Sequence, residues 1–145
     1  MLVITEARLS VDEALLAGRQ RDTVSLGWEE RRWNRRRLTT TGGREVALAL
    51  PTGSVLEPGA IIAVEAEWYL VVESRPEPLL AIYPESQEQA VRIAFDVGNR
   101  HFTLALEGDA LLVPDDPAME QLIRRLGVRW ERRRAHYSPL AGGHD

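Results

Sequence analysis

Two hydrophobic rhythms divide the chain. In the first part, short apolar runs alternate with turn residues, and Val46, Leu48 and Leu50 recur with the period of two expected of a half-buried strand. Gly42 and Gly43 separate two such runs, and glycine readily adopts the positive φ of a tight turn, so a hairpin is predicted there. Many short strands with turns between them predict a small β sandwich or barrel.

The second part mixes helical and strand periods. Its first helix is predicted to end at Gly98, and its core-facing residues are predicted to be Ala90, Val91, Ala94 and Phe95. The second helix is predicted to begin at Asp116-Pro117, with aspartate as the N-cap and proline in the first turn, and to end at Gly127. Its predicted core-facing residues are Met119, Leu122, Ile123 and Leu126.

Strands are predicted around these helices at 79–83, 102–106, 110–113 and from 128 onward. The resulting order, β-α-β-β-α-β, is that of the ferredoxin-like fold. The fold class is therefore predicted to be α+β, with an N-terminal all-β domain followed by a ferredoxin-like domain. Prolines at 76 and 78 indicate the boundary, giving domains 1–74 and 75–145. The C-terminal tail from Ser138 is expected to be flexible.

Composition excludes several classes of function. The chain has no cysteine and no lysine, which excludes thiolate metal sites, cysteine nucleophiles, Walker-type phosphate loops and Schiff-base chemistry. No nucleophile–base pair is indicated, so no enzymatic activity is predicted. The net charge of −4 argues against a general nucleic-acid binder. No run of ~20 apolar residues exists to span a membrane, and no signal peptide is evident, so a cytoplasmic location is expected.

Histidines are the best transition-metal ligands that this composition offers. There are three of them, and His101 is predicted to lie just past the first helix, at the start of the next strand. One imidazole does not hold a metal well, so further ligands must come from the C-terminal tail or from a second copy of the chain. On the residues alone, a lone histidine is more often structural than a ligand.

An arginine-rich segment, Arg31–Arg37, carries one tryptophan among its arginines. Arginine and aromatic side chains together can bind RNA through phosphate contacts and stacking. The alternative function is therefore an RNA- or protein-binding adaptor that uses this arginine patch without a metal. Residues 1–74 contain nine arginines against eleven acidic residues, so a solvated strand face or a protein-docking surface is favoured over RNA. An exposed sheet edge there could also receive a partner peptide.

The chain resembles the UreE family of urease accessory proteins over nearly its whole length. The most specific motif is Val-Gly-Asn-Arg-His at 97–101. The stretches that carry the resemblance are 28–36, 43–53, 95–101 and 113–116. The resemblance implies a nickel metallochaperone that is a homodimer, with an N-terminal β domain and a ferredoxin-like metal-binding domain. It implies delivery of Ni²⁺ to the urease apoprotein together with an accessory GTPase.

The resemblance also identifies the expected ligands. The metal histidine of the family corresponds to His101, and the tail histidine corresponds to His144. A two-fold axis would turn one His101 per chain into two ligands on one ion. Zn²⁺ or Cu²⁺ could bind the same donors in vitro, since the Irving–Williams order places Cu²⁺ above Ni²⁺. His136 matches no family position and is expected to be a surface residue.

The chain departs from some relatives at three places. Asp96 and Pro117 stand where certain members have histidine, and the long histidine-rich tail of others is absent. These differences argue against high-capacity nickel storage and leave the delivery site intact. Asp96 could orient His101 or line the site as a carboxylate, although a solvated residue near the helix end is the commoner interpretation.

Overall fold

A computed structural model describes residues 1–140 of the chain. The backbone forms two compact units, Met1–Arg75 and Pro76–Asp145. The first is all β apart from two short 3₁₀ helices, and the second is mixed α+β with two α-helices. The fold class is therefore α+β, and this part of the fold prediction is confirmed. Among the described residues, no helix is both long enough and apolar enough to cross a membrane.

The first unit contains two three-stranded sheets, β1-β4-β3 and β2-β6-β5. The β1–β4 and β2–β6 pairs are parallel, and the other two pairs are antiparallel. The strands are β1 (Leu2–Ile4), β2 (Gln20–Leu26), β3 (Arg35–Thr39), β4 (Glu45–Ala49), β5 (Ile61–Val64) and β6 (Trp68–Ser74). The predicted hairpin at Gly42-Gly43 is confirmed, since β3 pairs with β4 across it and Gly43 has a φ of +88°.

The predicted alternation in β4 is also present. Val46 and Leu48 are buried, whereas Ala47 and Ala49 lie on the opposite, more accessible face. The buried side chains of β4 pack in one hydrophobic cluster with residues of both sheets, including Ile4 of β1. β1 was not predicted: it is three residues long and pairs in parallel with a strand more than forty residues away, which no local pattern reveals.

A buried carboxylate fastens the β3–β4 hairpin to β2. Asp22 is 5% exposed and accepts hydrogen bonds from the Thr40 hydroxyl at 2.5 Å, the Gly42 N–H at 2.8 Å and the Thr23 N–H at 2.8 Å. The Arg44 guanidinium pairs with it at 2.9 Å. Burial alone would raise the pKa of Asp22, but these four donors outweigh burial and lower the pKa below its usual value.

The second unit has one four-stranded sheet with the order β10-β7-β9-β8, in which every neighbouring pair is antiparallel. The elements are β7 (Glu77–Tyr83), α1 (Gln87–Asn99), β8 (Ala105–Glu107), β9 (Ala110–Pro114), α2 (Pro117–Leu126) and β10 (Arg129–Ala135). Both helices contribute buried residues to one hydrophobic cluster with β7 and β9. The strand predicted at 102–106 is wrong at its start, because β8 begins at Ala105.

Helix α2 matches its prediction. The Asp116 carboxylate accepts a hydrogen bond from the Ala118 N–H at 2.8 Å, Pro117 opens the helix, and Gly127 ends it with a φ of +70°. Three of the four predicted core residues, Met119, Leu122 and Ile123, are buried, and Leu126 packs at the margin of the same cluster. The capping residues at both ends made the bounds of this helix predictable from the sequence.

Helix α1 differs from its prediction in which face it buries. Its buried residues are Ile93 and Val97, whereas Val91 is 63% exposed and Phe95 is 69% exposed. The prediction that Val91 and Phe95 face the core is therefore wrong. The helix carries two apolar stripes at helical spacing, and periodicity alone does not decide which one meets the sheet.

Replacing Asp22 by asparagine should destabilise the first unit by about 1–3 kcal/mol at neutral pH, because charge-assisted hydrogen bonds to a buried group are lost. The folded-state pKa of Asp22 lies below its ordinary value. Its contribution is therefore present above ~pH 4 and is lost as pH falls through the folded-state pKa. Urea unfolding should be measured at neutral pH and at ~pH 3. The difference in unfolding free energy between wild type and Asp22→Asn should be smaller at the lower pH. An equal difference in unfolding free energy at both pH values would contradict this prediction. Asp109→Asn, at an exposed turn, is the control.

Candidate metal centre

The C-terminal end of α1 determines where His101 lies. The helix continues through Gly98 to Asn99, and the chain reverses through His101, whose φ is +62°. The His101 N–H donates to the Gly98 carbonyl at 3.0 Å, and the Phe102 N–H donates to the Val97 carbonyl at 3.2 Å. This pair of bonds is a Schellman motif. The predictions that Gly98 ends the helix and that His101 starts a strand are therefore wrong.

Apolar packing holds this turn in place. Val97 is 1% exposed, and Phe102 packs against the hydrophobic cluster to which Val97 belongs. A hydrophobic contact between these two positions commonly accompanies the Schellman motif. Arg100 adds a further restraint, since its guanidinium donates to the Asp96 carbonyl at 3.2 Å. The backbone around His101 is thus fixed by the core, and its conformation does not depend on the imidazole.

His101 occupies a position that normally selects glycine. It is the one non-glycine residue among those described that has a positive φ. The left-handed conformation costs a residue with a Cβ roughly 1–2 kcal/mol, although histidine tolerates it better than bulkier residues do. A side chain kept at such a cost is typical of a functional position. The imidazole is exposed and has no hydrogen-bond or ion-pair partner within residues 1–140, so its nitrogens are available to a ligand.

The segment after His101 is tied to the C-terminal end of the described chain. The hydroxyls of Thr103 and Tyr137 are hydrogen-bonded at 2.8 Å, and the Leu140 N–H donates to the Leu104 carbonyl at 2.8 Å. Tyr137 is fully buried, and burial raises its pKa to about 12, opposed by the Thr103 hydrogen bond. No sequence signal pointed to this contact, because it joins residues that are far apart in the chain.

The described residues include only some of the other candidate ligands. His144 lies outside the described residues, four residues beyond Leu140. His136 is exposed, as expected of a surface residue. Asp96 makes no hydrogen bond to His101 within residues 1–140. The described chain contains no group of three or more histidine, aspartate or glutamate residues arranged to hold a metal.

An exposed apolar face of α1 leads to the His101 turn. Val91, Phe95 and Gly98 follow the i, i+4, i+7 spacing of one helix face. A Cβ added to Gly98 would meet nothing within 4 Å, so the helix surface is open there. Gln87, Glu88 and Arg92 line the same shallow depression as Val91 and Phe95. We call this surface, defined by Val91, Phe95 and Gly98, the α1 face.

Family models cover nearly the whole chain. The model described as the N-terminal domain of UreE urease accessory protein matches residues 8–75, and the model for the C-terminal domain of UreE matches residues 77–145.

Individual relatives agree with the family models. A urease accessory protein UreE of Synechococcus sp. (strain JA-3-3Ab) is 39% identical over 97% of this chain and 95% of its own length. The UreE of Deinococcus radiodurans is 38% identical over 75% of this chain and 70% of its own. That of Ralstonia nicotianae is 35% identical over 77% of this chain and 53% of its own.

The chain therefore belongs to the UreE family of urease accessory proteins. It is an accessory protein and not an enzyme, which agrees with the prediction made from its side chains. Membership supports a role in urease assembly, and the metal ligands themselves stay predictions.

Replacing His101 by glycine should stabilise the metal-free protein relative to His101→Ala, by about 1 kcal/mol. Both variants remove the imidazole, but glycine alone relieves the left-handed strain, and its greater freedom in the unfolded chain offsets part of the gain. Urea unfolding of the two variants and wild type measures the difference. A less stable glycine variant would show that the turn is not strained at His101.

Proposed function

We propose that this protein is a nickel-binding metallochaperone that delivers Ni²⁺ to apo-urease during assembly of the urease active site, in the cytoplasm. The observation that carries the proposal is His101, an exposed imidazole fixed at a left-handed position where glycine is preferred. Imidazole is a suitable ligand for Ni²⁺, and a chain without cysteine can offer only imidazole, carboxylate and backbone donors. Urease apoprotein and an accessory GTPase are the proposed partners.

The proposed carrier is a homodimer joined through the α1 face. Phe95 and Val91 are among the most exposed large apolar residues of the described chain, and apolar surface of this kind is typical of an interaction site. In a two-fold dimer the same patch meets itself, so a ligand beside the patch is duplicated across the axis. Because the α1 face runs toward the His101 turn, such a dimer would bring two His101 imidazoles near one axis.

The tail histidine is the proposed additional ligand. The hydrogen bonds at Thr103 and Leu104 hold residues 137–140 beside the segment that follows His101. His144 would thus be attached close to the proposed site by a short stretch of chain. Two central imidazoles with a separately attached third ligand suit delivery, because the third ligand can leave without dismantling the site. Zn²⁺ and Cu²⁺ should compete in vitro.

The two units take different parts in this proposal. For the predicted C-terminal domain, 75–145, the β-α-β-β-α-β element order and the β10-β7-β9-β8 strand order support the ferredoxin-like assignment. This domain is proposed to bind the metal, and the predicted N-terminal domain, 1–74, is proposed to bind a partner protein or peptide. Its two separate three-stranded sheets leave strand edges available for that purpose.

Replacing Phe95 by aspartate should convert the dimer to a monomer at micromolar concentration, because a charge would be buried at the two-fold contact. Tight nickel binding should be lost although His101 is unchanged. Sedimentation velocity and calorimetry on the same samples measure both effects. Leu15→Asp, at an exposed apolar residue of the first unit, is the control and should leave both unchanged. A dimer that survives Phe95→Asp would place the interface elsewhere.

Replacing His101 by alanine should abolish high-affinity nickel binding, because dimer symmetry removes two imidazoles at once. His144→Ala should weaken binding less, and His136→Ala, at another exposed histidine, should have no effect. Calorimetry with Ni²⁺ ranks the three variants.

In cells, His101→Ala should lower urease activation when nickel is scarce, and added nickel should partly restore it. If His144→Ala abolishes binding while His101→Ala does not, the site belongs to the tail.

A further inference from the structure

The ladder hydrogen bonds of the first unit leave one side of β3 open. β3 is the last strand of the sheet β1-β4-β3. The Leu50 N–H donates to the Asn34 carbonyl at 2.8 Å, so by antiparallel alternation the even-numbered residues of β3 point their backbone groups at β4. The N–H and C=O groups of Arg35 and Arg37 therefore point away from the sheet, and they have no backbone partner within residues 1–140.

The open stretch is short and well defined. Further along the chain, the Thr41 N–H donates to the Thr23 carbonyl at 2.8 Å, so that end of the edge is already joined to β2. The free backbone groups thus lie before Thr41, and we call the segment Arg35–Arg37 the arginine edge. A row of unpaired donors and acceptors is a template onto which another extended segment can add.

The side chains of the arginine edge have no acidic partner within the described chain. All three arginines are exposed, and none makes an ion pair with a described residue. Their cross-strand neighbours on β4 are Ala49, Leu48 and Ala47, so no carboxylate lies opposite them. Other arginines of the chain are paired, such as Arg44 with Asp22 and Arg75 with Glu30. Because side chains alternate along a strand, Arg35 and Arg37 lie on one face of β3, where their positive charges repel one another and favour an anionic ligand.

Stacking pre-orders part of this surface. The Arg36 guanidinium lies 3.7 Å from the centre of the Trp33 ring, and that of Arg32 lies 5.8 Å from the Trp28 ring. Cation–π contacts of this kind hold a guanidinium in place and leave its N–H groups available. They also cover one face of each indole, which a nucleic-acid base would need for stacking.

We propose that the arginine edge docks an extended, acidic segment of a partner protein, which adds a strand beside β3 and places carboxylates on the guanidinium groups of Arg35 and Arg37. Side chains of the added strand on the face of Arg35 and Arg37 would lie next to those two arginines, because β3 separates the added strand from β4. Backbone hydrogen bonds supply affinity that is independent of sequence, and the arginines select carboxylates. This docking role rests on the proposed partner-binding function of the first unit and does not depend on the proposed nickel ligands.

The arginine edge has two alternative explanations, protection against aggregation and RNA binding. Each predicts a result that differs from peptide docking. Charged side chains on an edge strand can simply prevent aggregation, and in that case no ligand binds. Binding of single-stranded RNA would also depend on the arginine side chains, but it would not need the free backbone groups of β3. The free backbone groups of β3 and the partly covered indoles favour an acidic peptide over RNA.

The test uses the full-length protein and a fluorescein-labelled peptide of alternating glutamate and valine. Matched probes are the same peptide with glutamine for glutamate, the same peptide N-methylated at alternate residues, and a single-stranded oligouridine. Fluorescence anisotropy compares wild type with Arg35→Gln/Arg37→Gln and with the control Arg8→Gln/Arg21→Gln, in which two arginines elsewhere on the first unit are changed.

Wild type and the control should bind the acidic peptide alike, and Arg35→Gln/Arg37→Gln should bind at least about tenfold more weakly. The glutamine peptide and the N-methylated peptide should each lose similar affinity. Equal binding by both double variants would overturn the proposal, and so would indifference to N-methylation. If only oligouridine responds to Arg35→Gln/Arg37→Gln, the edge binds RNA instead. Aggregation of that variant with no change in peptide binding would leave the arginines a protective role only.

Measurement of urease activation in cells distinguishes the docking role from the nickel-binding proposal. Arg35→Gln/Arg37→Gln should bind Ni²⁺ with unchanged stoichiometry and affinity and yet activate urease less well, and added nickel should not restore activation. Full activation by this variant, alongside a defect in His101→Ala, would remove the docking role and leave the nickel proposal standing. Full activation by both variants would remove both.

Discussion

The left-handed turn at His101 is the constraint on which the second unit's proposed site depends. Val97 and Phe102 pack in the same core, and the Phe102 N–H closes onto the Val97 carbonyl, so the helix end and its backbone reversal form together. A residue inside that reversal has no freedom to choose its backbone conformation. Apolar packing therefore sets the direction of the His101 Cα–Cβ bond, and this part of the proposed site is fixed before any ion arrives.

Helix α1 divides its two apolar stripes between the fold and a surface. Ile93 and Val97 are buried against the sheet, whereas Val91 and Phe95 are exposed beside the turn. The same helix thus positions the proposed ligand and presents the surface through which a second ligand could arrive. A single rigid element carrying both tasks fixes their spacing more reliably than two loops would.

What the sequence could predict follows from how local each signal is. Helix α2 was predicted at both ends because Asp116, Pro117 and Gly127 act on their own backbone, and the Gly42-Gly43 hairpin was predicted for the same reason. The end of α1 was misplaced because Gly98 is a local signal that tertiary packing overrides. Strand β1 and the Tyr137–Thr103 contact join residues far apart in sequence, which periodicity does not encode. The choice of His101 came from a family motif, and its strained backbone came only from the structure.

Natural sequences break local rules mainly where function requires it. In the first unit, the buried Asp22 has every donor it needs, and this network secures the hairpin. The adjoining arginine edge has no acidic partner among residues 1–140. In the second unit, α2 follows the capping preferences at both ends, whereas the turn that follows α1 places His101 in a left-handed conformation that glycine normally adopts. Satisfied networks therefore stabilise each unit. Binding is expected at the two features that have no hydrogen-bond or ion-pair partner among residues 1–140, the His101 imidazole and the guanidinium groups of the arginine edge.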